Sequence, residues 1–114
     1  MEDCIFCKIV AGDIPSEKIY VDDKVSAFYD INPAAPVHVL IVPNTHIPMV
    51  NSLTEDHAEL AGHMILVAKQ IAGEEGIQES GYRLIINNGA HGGQEVFHLH
   101  LHLLGGQRMR HPMG

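Results

Sequence analysis

The apolar residues of this chain recur with two periods, every second residue in some segments and every third or fourth residue in others. Alternation is typical of half-buried strands, and it predicts strands at 19–23 and 25–30 that are joined as a hairpin. A β-branched run predicts a largely buried strand at 37–43, where a proline ends it. Two further strands are predicted at 82–87 and 95–104.

Helical spacing is found in two segments. Residues 3–12 predict a short helix that ends near Gly12. A longer helix is predicted to begin after Thr54, whose hydroxyl is suited to capping, and to end near Gly73 and Gly76. One face of this longer helix is apolar and comprises Leu60, Ala61, Met64, Val67, Ala68, Ile71 and Ala72.

The order of these elements is helix, hairpin, strand, helix and two strands, which favours an α+β fold. We expect an antiparallel, five-stranded meander sheet with one long and one short helix. No linker or repeat divides residues 1–114, so a single domain is predicted. An open sheet edge is best covered by a second copy of the chain. The apolar Leu66, on the polar side of the longer helix, supports a homodimer in which the sheet is continuous.

Charge and composition narrow the functional classes. The formal net charge is −7 at pH 7, whereas proteins that bind DNA or RNA normally present a face rich in Lys and Arg, so no nucleic-acid partner is expected. A single nucleotide phosphate can still be held by histidines and backbone N–H groups. No apolar run approaches the roughly 20 residues that span a bilayer, and the acidic start of the chain is unlike a signal peptide. We therefore expect a cytoplasmic protein with no membrane contact.

The only two cysteines, Cys4 and Cys7, form a Cys-x-x-Cys motif. In a reducing cytoplasm a structural disulfide is not expected. Three interpretations remain, namely half of a metal site, a redox pair, or two buried thiols.

The segment 95–104 carries the strongest chemical signal in the chain. If it is a strand, His98, His100 and His102 share one face. The other face then carries Phe97, Leu99, Leu101 and Leu103. Such a row of imidazoles is explained by metal binding, by nucleophilic catalysis, or by chance clustering among the nine histidines of the chain.

Both chemical interpretations have a physical basis. Two histidines of a His-x-His pair on a strand can reach one metal ion. Alternatively, a neutral imidazole attacks phosphorus with one ring nitrogen while the other donates its proton to a fixed acceptor, often a backbone carbonyl. His100 lies between the other two histidines and is the natural nucleophile. The glycine-rich segment 87–94 supplies flexible backbone whose N–H groups can cradle a phosphate.

Five segments, in order along almost the whole chain, resemble the histidine triad superfamily of nucleotide hydrolases and transferases. They are CIFCKIVAGDIPS at 4–16, DINPAAPVHVLIVP at 30–43, GYRLIINNG at 81–89, GGQ at 92–94 and HLHLHLL at 98–104. The similarity is greatest to the nucleotide-binding, phosphoramidase branch. The resemblance implies the fold of that superfamily and hydrolysis of purine nucleoside 5′-phosphoramidates.

The resemblance also implies catalytic roles. His100 would attack the α-phosphate and form a nucleotidyl-histidine, which water then hydrolyses. His102 would contact the phosphate and support the departing amine. His98 completes the triad, and His38, on the strand at 37–43, would support it. The chemistry would need no cofactor.

By the same resemblance, Asp30 would accept hydrogen bonds from the ribose hydroxyls, although an aspartate in an Asp-x-x-Pro loop also caps turns. Phe6 and Ile31 would flank the base. Asn87 would contact ribose or phosphate, although an Asn-Asn pair is equally a turn signal.

Phosphate oxygens would be held by Gly93 and Gln94. Glu95 follows them, where many members of the superfamily carry a serine that helps the leaving group. A carboxylate beside an anionic phosphate is unfavourable unless it is protonated, turned away, or meets a cationic amine leaving group. The resemblance therefore leaves the preferred leaving group open.

Some bacterial members of the superfamily, and the related hexose-phosphate uridylyltransferases, have a structural zinc site. It is built from two N-terminal cysteines, an upstream histidine and the first histidine of the triad. Cys4, Cys7, His46 and His98 stand in the matching places, so the resemblance implies a structural Zn²⁺ here. The alternative is that the cysteines are small buried residues of the first helix.

Other functional classes stay open from the sequence. One is a nucleotide-binding regulatory or scaffold protein with incidental turnover. Another is a zinc hydrolase that uses the triad as metal ligands. Within the nucleotide hydrolases, the alternative to a phosphoramidase is a dinucleoside polyphosphate hydrolase.

Overall fold

The computed structural model describes residues 3–113, which contain two α-helices and five β-strands. The helices are α1 (Ile5–Ala11) and α2 (Ala58–Glu74). The strands are β1 (Lys18–Val21), β2 (Val25–Tyr29), β3 (Val37–Pro43), β4 (Tyr82–Ile85) and β5 (Leu101–Gly105). These elements confirm the predicted α+β fold with one long and one short helix.

The five strands form one antiparallel sheet in the order β1-β2-β3-β5-β4. β1 and β2 form the predicted hairpin, in which the Asp22 carboxylate accepts hydrogen bonds from the N–H groups of Lys24 and Val25. The order departs from a strict meander at one point, because β5 rather than β4 pairs with β3. After α2 the chain enters the sheet at its edge as β4, leaving room for one strand beside β3. β5 then fills that place and pairs antiparallel with both β3 and β4.

The two faces of the sheet bury different groups, because successive residues of a strand point to opposite sides. On the face covered by α2, the strand residues of the main core include Val39, Ile41, Leu101 and Leu103. On the face covered by α1, a smaller cluster comprises Phe6, Ile9, Phe28, Leu40 and Val42. The register pairs Leu40 with His102, so the histidines share their face with this smaller cluster.

The longer helix begins slightly later than Thr54 predicts. Thr54 caps a 3₁₀ turn, Glu55–His57, that runs directly into α2, and the Thr54 N–H donates to His57 Nδ1 over 3.0 Å. Most of the predicted apolar face is buried, namely Met64, Val67, Ala68, Ile71 and Ala72. Leu66 lies outside this face, as predicted, and its side chain is 63% exposed.

The histidine segment pairs over a shorter length than the sequence predicts. A strand is expected over 95–104, but β5 begins at Leu101. β3 ends at Pro43, whose ring has no N–H and whose carbonyl accepts a 2.8 Å hydrogen bond from His98 Nε2. The ladder therefore stops, and the Leu99 N–H bonds to a loop carbonyl outside the sheet.

This early end of the ladder also corrects one core assignment. The alternation predicts that Phe97 faces the core with Leu99, Leu101 and Leu103. The three leucines are buried, but Phe97 is 48% exposed because it lies beyond the paired part of the segment.

α1 is defined at both ends by local hydrogen bonds. Cys4 is the N-cap, and its Sγ accepts a 3.2 Å hydrogen bond from the Cys7 N–H. Gly12 ends the helix at φ 85°, a left-handed conformation that glycine adopts without strain, which confirms the predicted end. Across residues 3–113, none of the helices combines the length and the apolar character that crossing a membrane requires.

Candidate functional site

A cavity of about 820 Å³ lies between α1, the adjoining face of the sheet and the loop that precedes β5. Pockets that hold small molecules typically have volumes of roughly 300–1,000 Å³. His100 and His102 line this cavity. The cavity is also lined by six other residues that were predicted to bind substrate, namely Phe6, Asp30, Ile31, Asn87, Gly93 and Glu95.

His100 has one ring nitrogen held by the backbone. Its Nδ1–H donates a 2.7 Å hydrogen bond to the carbonyl oxygen of His98, so its Nε2 carries the lone pair. The ring is 7% exposed and packs edge-to-face against Phe6, with 5.1 Å between the ring centroids. Orientation and tautomer are therefore both defined, which is what a nucleophilic imidazole requires.

His38 and His102 form a chain of hydrogen bonds with a defined direction. The Ala34 N–H donates to His38 Nδ1 over 3.0 Å, so a neutral His38 carries its proton on Nε2. That proton is donated to His102 Nδ1 over 2.9 Å. His102 consequently carries its own proton on Nε2, a buried atom that has no hydrogen-bond partner within residues 3–113.

The surroundings keep both of these imidazoles neutral. Burial lowers the pKa of His38, although the nearby Asp30 carboxylate acts in the opposite direction. Burial, followed by the neighbouring His100 and His38, lowers the pKa of His102 to about 4. Neutral rings at pH 7 are consistent with the direction of the hydrogen-bond chain.

Asp30 caps a turn of its own loop and also lines the cavity. Its Oδ1 accepts a 2.8 Å hydrogen bond from the Asn32 N–H, which is the turn-capping interaction, and its Oδ2 lies 3.5 Å from His38 Nε2. Asp30, His38 and His102 offer ligand atoms within 4.8 Å of one another, a spacing that can hold a metal ion. The two imidazoles, however, already share a proton between their facing nitrogens.

The apolar wall of the cavity is only partly predictable from the sequence. Phe6 is buried, whereas Ile31 is 89% exposed at the protein surface. Further aliphatic and phenyl side chains that the sequence does not single out also line the cavity, namely Ile5, Ile9, Ile14, Phe28, Leu40 and Val96. Their apolar character is that of ordinary core residues, and only their place in the fold, beside the histidines, distinguishes them.

The glycine-rich loop places Gly93 in the cavity wall and Gln94 outside it. Gly93 lines the cavity with φ 84°, a conformation that residues with a Cβ rarely adopt. Gln94, which is also predicted to hold phosphate oxygens, is 6% exposed and is not part of the cavity wall. Its Oε1 accepts from the Gly89 N–H, and its Nε2 donates to the carbonyls of Pro48 and Val96. The Gln94 amide therefore holds the loop in shape.

A second group of side chains converges beside the cavity and comprises Cys4, Cys7, His46 and His98. Cys4 Sγ lies 3.2 Å from His98 Nδ1, and Cys7 Sγ lies 3.3 Å from His46 Nδ1. The two Nδ1 atoms are 3.3 Å apart. Ligands around a tetrahedral zinc ion, with bonds of about 2.0–2.3 Å, are separated by roughly 3.3–3.8 Å. Donor types and spacing thus fit a four-coordinate zinc ion.

His98 joins this cluster to the cavity. Its side chain is fully buried, its Nε2–H donates to the Pro43 carbonyl, and its Nδ1 lone pair therefore faces the two cysteines. Burial lowers the pKa of His98, which favours the neutral form that binds metals. Burial and the adjacent Cys4 raise the pKa of the Cys7 thiol to about 11, so a bound cation must displace that proton. The imidazole of His98 stays outside the cavity, while its carbonyl oxygen holds His100.

The sequence and the fold of this chain are similar to those of known proteins. Residues 11–109 match the family model of the HIT domain. The chain is 56% identical over 113 residues to the purine nucleoside phosphoramidase of Escherichia coli (strain K12), and the match covers 99% of this chain and 92% of that protein. A HIT family hydrolase from Legionella pneumophila Philadelphia 1 has a TM-score of 0.95 and 47% identity, covering 98% of this chain and 100% of that chain. A histidine triad protein from Clostridium difficile has a TM-score of 0.94 and 45% identity, covering 97% of this chain and 96% of that chain.

Proposed function

This chain belongs to the HIT domain family, and on that premise we propose that it hydrolyses purine nucleoside 5′-phosphoramidates to nucleoside monophosphates. The observation that carries the proposal is the geometry of His100, whose Nδ1 is bound to a backbone carbonyl while the ring lines a cavity of nucleotide size. The substrate class comes from the E. coli relative, which is named a purine nucleoside phosphoramidase.

In the proposed reaction, the lone pair on His100 Nε2 forms a bond to the α-phosphorus as the bond from phosphorus to the amine nitrogen breaks. The departing nitrogen takes a proton from water. His100 then carries a positive charge, which its Nδ1–H shares with the carbonyl oxygen of His98. The hydroxide that this water leaves behind attacks phosphorus, the bond to His100 breaks, and the monophosphate is released with His100 neutral again.

We assign supporting roles to the two histidines of the hydrogen-bond chain. His102 is expected to donate its Nε2–H to a phosphoryl oxygen, where charge accumulates in the transition state. His38 acts through His102, because its hydrogen bond to Nδ1 maintains the tautomer that leaves this proton on Nε2. Both roles require neutral imidazoles, and the lowered pKa values of His38 and His102 support them.

The nucleoside is proposed to occupy the apolar end of the same cavity. Asp30 lines the wall with a carboxylate, which can accept hydrogen bonds from both hydroxyls of a ribose. Phe6 and Ile31 are expected to flank the base, with Phe28 offering further apolar surface. Asn87 and Gly93 line the same cavity as His100 and His102 and are expected to contact ribose or phosphate.

We propose that the Cys/His cluster binds a structural Zn²⁺. Four protein ligands fill a tetrahedral site, so no position is left for a reactive water. The ion would connect α1 to the loop that carries His46 and to the start of the histidine segment. Its effect on catalysis would be indirect, through the position of His98 and the carbonyl that holds His100.

We further propose a homodimer. β4 is an edge strand of the sheet, and it is followed by Ile86, which is 42% exposed. On α2, Ile65 and Leu66 are 50% and 63% exposed. An edge strand with exposed apolar residues is a surface that proteins usually cover, and a second copy offers a matching edge.

The decisive experiment is a substrate panel. Adenosine and guanosine 5′-phosphoramidates should be compared with diadenosine polyphosphates by measuring kcat/KM. The proposal expects the phosphoramidates to be hydrolysed with the higher kcat/KM, and quenching in alkaline denaturant, where phosphorus–nitrogen bonds to histidine survive, should recover a nucleotidyl adduct on His100. A higher kcat/KM for the polyphosphates would instead favour the alternative hydrolase class.

A further inference from the structure

A second cavity, of about 470 Å³, lies directly beside the first. The two cavities share three wall residues, Ile5, Glu95 and Val96. His100 and His102 belong to the wall of the first cavity, whereas the second is completed by Asp3, Phe97 and two members of the Cys/His cluster. A ligand held at His100 can therefore extend past Glu95 into the second cavity.

The walls of this second cavity combine negative charge with exposed apolar surface. Asp3 and Glu95 each contribute a carboxylate. Ile5 and Phe97 are 44% and 48% exposed, so both offer apolar area to a ligand. The Cys/His cluster adds no net charge, either as two thiols with neutral imidazoles or as two thiolates and two imidazoles around a divalent cation.

We infer that this second cavity is the subsite for the leaving group, and that it selects amines with an apolar stem and a cationic end. The inference rests on the proposed phosphoramidase function and names the part of the substrate that this function leaves open. The nucleoside and phosphate occupy the first cavity, so the amine is the remaining part of the substrate. Its stem lies along Ile5 and Phe97, and its charge faces Glu95 and Asp3. When the phosphorus–nitrogen bond breaks, the amine nitrogen takes a proton from water and the whole amine leaves through this cavity.

The test uses adenosine 5′-phosphoramidates that differ only in the amine. The probes are the unsubstituted phosphoramidate and the amides of hexylamine, 1,6-diaminohexane and 6-aminohexanoate. For the wild-type protein at low salt, kcat/KM should fall in the order cationic, neutral, anionic. Each step should be about threefold to fivefold, the range of exposed charge pairs, and should shrink at higher salt.

Variants are compared by the ratio of kcat/KM for the cationic and neutral hexyl amides, so that any general loss of rate cancels. In Glu95→Gln this ratio should fall to within about twofold of 1. In Glu95→Lys it should fall below 1, so that the neutral amide becomes the better substrate. The matched control Glu79→Gln, at an exposed carboxylate outside both cavities, should keep the wild-type ratio.

The outcomes separate this inference from the proposed function. If the unsubstituted phosphoramidate is hydrolysed but the ratio is the same in the wild type, Glu95→Gln and Glu95→Lys, the leaving-group subsite is wrong and the phosphoramidase function stands. If none of the phosphoramidates is hydrolysed, the proposed function itself is wrong.

Discussion

The Nδ1–H of His100 donates a 2.7 Å hydrogen bond to the backbone carbonyl of His98, two residues earlier in the chain. This bond defines which nitrogen of His100 carries the proton, and it does so with a group that no side-chain substitution removes. The tautomer of His100 is therefore determined by the backbone of His98, a residue whose own side chain belongs to the Cys/His cluster.

Replacing His100 by alanine should abolish turnover while nucleotide binding survives. Removing a covalent nucleophile typically costs roughly 10³-fold or more in kcat, whereas the contacts to ribose and base remain and should keep Kd within about tenfold. Isothermal titration with a nucleoside monophosphate and a phosphoramidate assay measure the two effects separately. His111→Ala, at an exposed histidine of the tail, is the matched control. Near-normal turnover in His100→Ala would rule out its role as nucleophile, and imidazole should partly restore activity to His100→Gly.

Replacing Asp30 by alanine should remove the preference for ribose over deoxyribose. Hydrogen bonds to a charged group contribute about 1.5–3 kcal/mol, so the wild type should favour a ribonucleotide over its 2′,3′-dideoxy analogue by roughly tenfold to 100-fold. In Asp30→Ala the two analogues should bind within about threefold of each other. The control is Asp56→Ala, at an exposed aspartate beside α2. An unchanged preference in Asp30→Ala would place the ribose elsewhere.

Purified without chelators, the protein should contain close to one zinc ion per chain by elemental analysis. The double variant Cys4→Ser/Cys7→Ser should lose the metal and about 3 kcal/mol of stability, the contribution of a ligand present at about 100 times its Kd. For a domain of this size, such a loss lowers Tm by roughly 10 °C. kcat should fall less than about tenfold, because the metal acts only on the position of His98. A metal-free wild-type protein with an unchanged Tm in the double variant would contradict the site.

The free energy of unfolding should fall as the pH is lowered from 6.5 towards 4. The pKa of His102 is about 4 in the folded protein and 6.5 in the unfolded chain, so between these values the unfolded state binds more protons. Stability therefore rises with pH across this window and is lost on acidification. The groups that face His102 are His100, His38 and Asp30, of which only Asp30 raises its pKa.

Urea denaturation at a series of pH values measures this effect. The difference in unfolding free energy between pH 6.5 and pH 4.5 should be smaller for His102→Asn than for the wild type. The exposed His111→Ala should retain the wild-type pH dependence. Identical slopes for the wild type and His102→Asn would show that His102 does not titrate as its burial predicts.

Light scattering at micromolar concentration should give the mass of a dimer. Ile65→Glu combined with Leu66→Glu places two charges on the exposed apolar positions of α2, so it should shift the protein towards the monomer without disturbing the core. Lys69→Glu, at an exposed polar position of the same helix, is the control. A wild-type protein that is monomeric under these conditions would refute the homodimer.

Most of the fold could be predicted from the sequence because burial imposes a period on each element. The alternation around β2 and the helical spacing of α2 each reflect which side of one element faces the core. The strand order has no such local signal. Neither the composition nor the turns indicate that β5, rather than β4, lies beside β3, because that depends on how far α2 carries the chain.

The candidate site was predictable where it consists of unusual side chains and hidden where it consists of ordinary ones. The histidine row and the Cys-x-x-Cys motif can be recognised from the sequence alone, because histidine and cysteine seldom occur at such regular spacing by chance. The groups that set the tautomers of His38 and His100 are a backbone N–H and a backbone carbonyl, which every segment possesses. Gln94 shows that a polar residue in a recognisable motif can have an ordinary structural role. Its amide N–H groups could donate to phosphate oxygens, but here they donate to two loop carbonyls.

The Nε2–H of His102, which has no hydrogen-bond partner among the residues that the structure describes, has a consequence for how this fold balances stability against activity. A buried donor without an acceptor typically costs about 1–3 kcal/mol, a large share of the net stability of a small domain. An apolar side chain of similar size at position 102 would avoid that cost, and would also break the chain of hydrogen bonds through His38. A ligand oxygen that accepts this proton would therefore stabilise the fold as it binds.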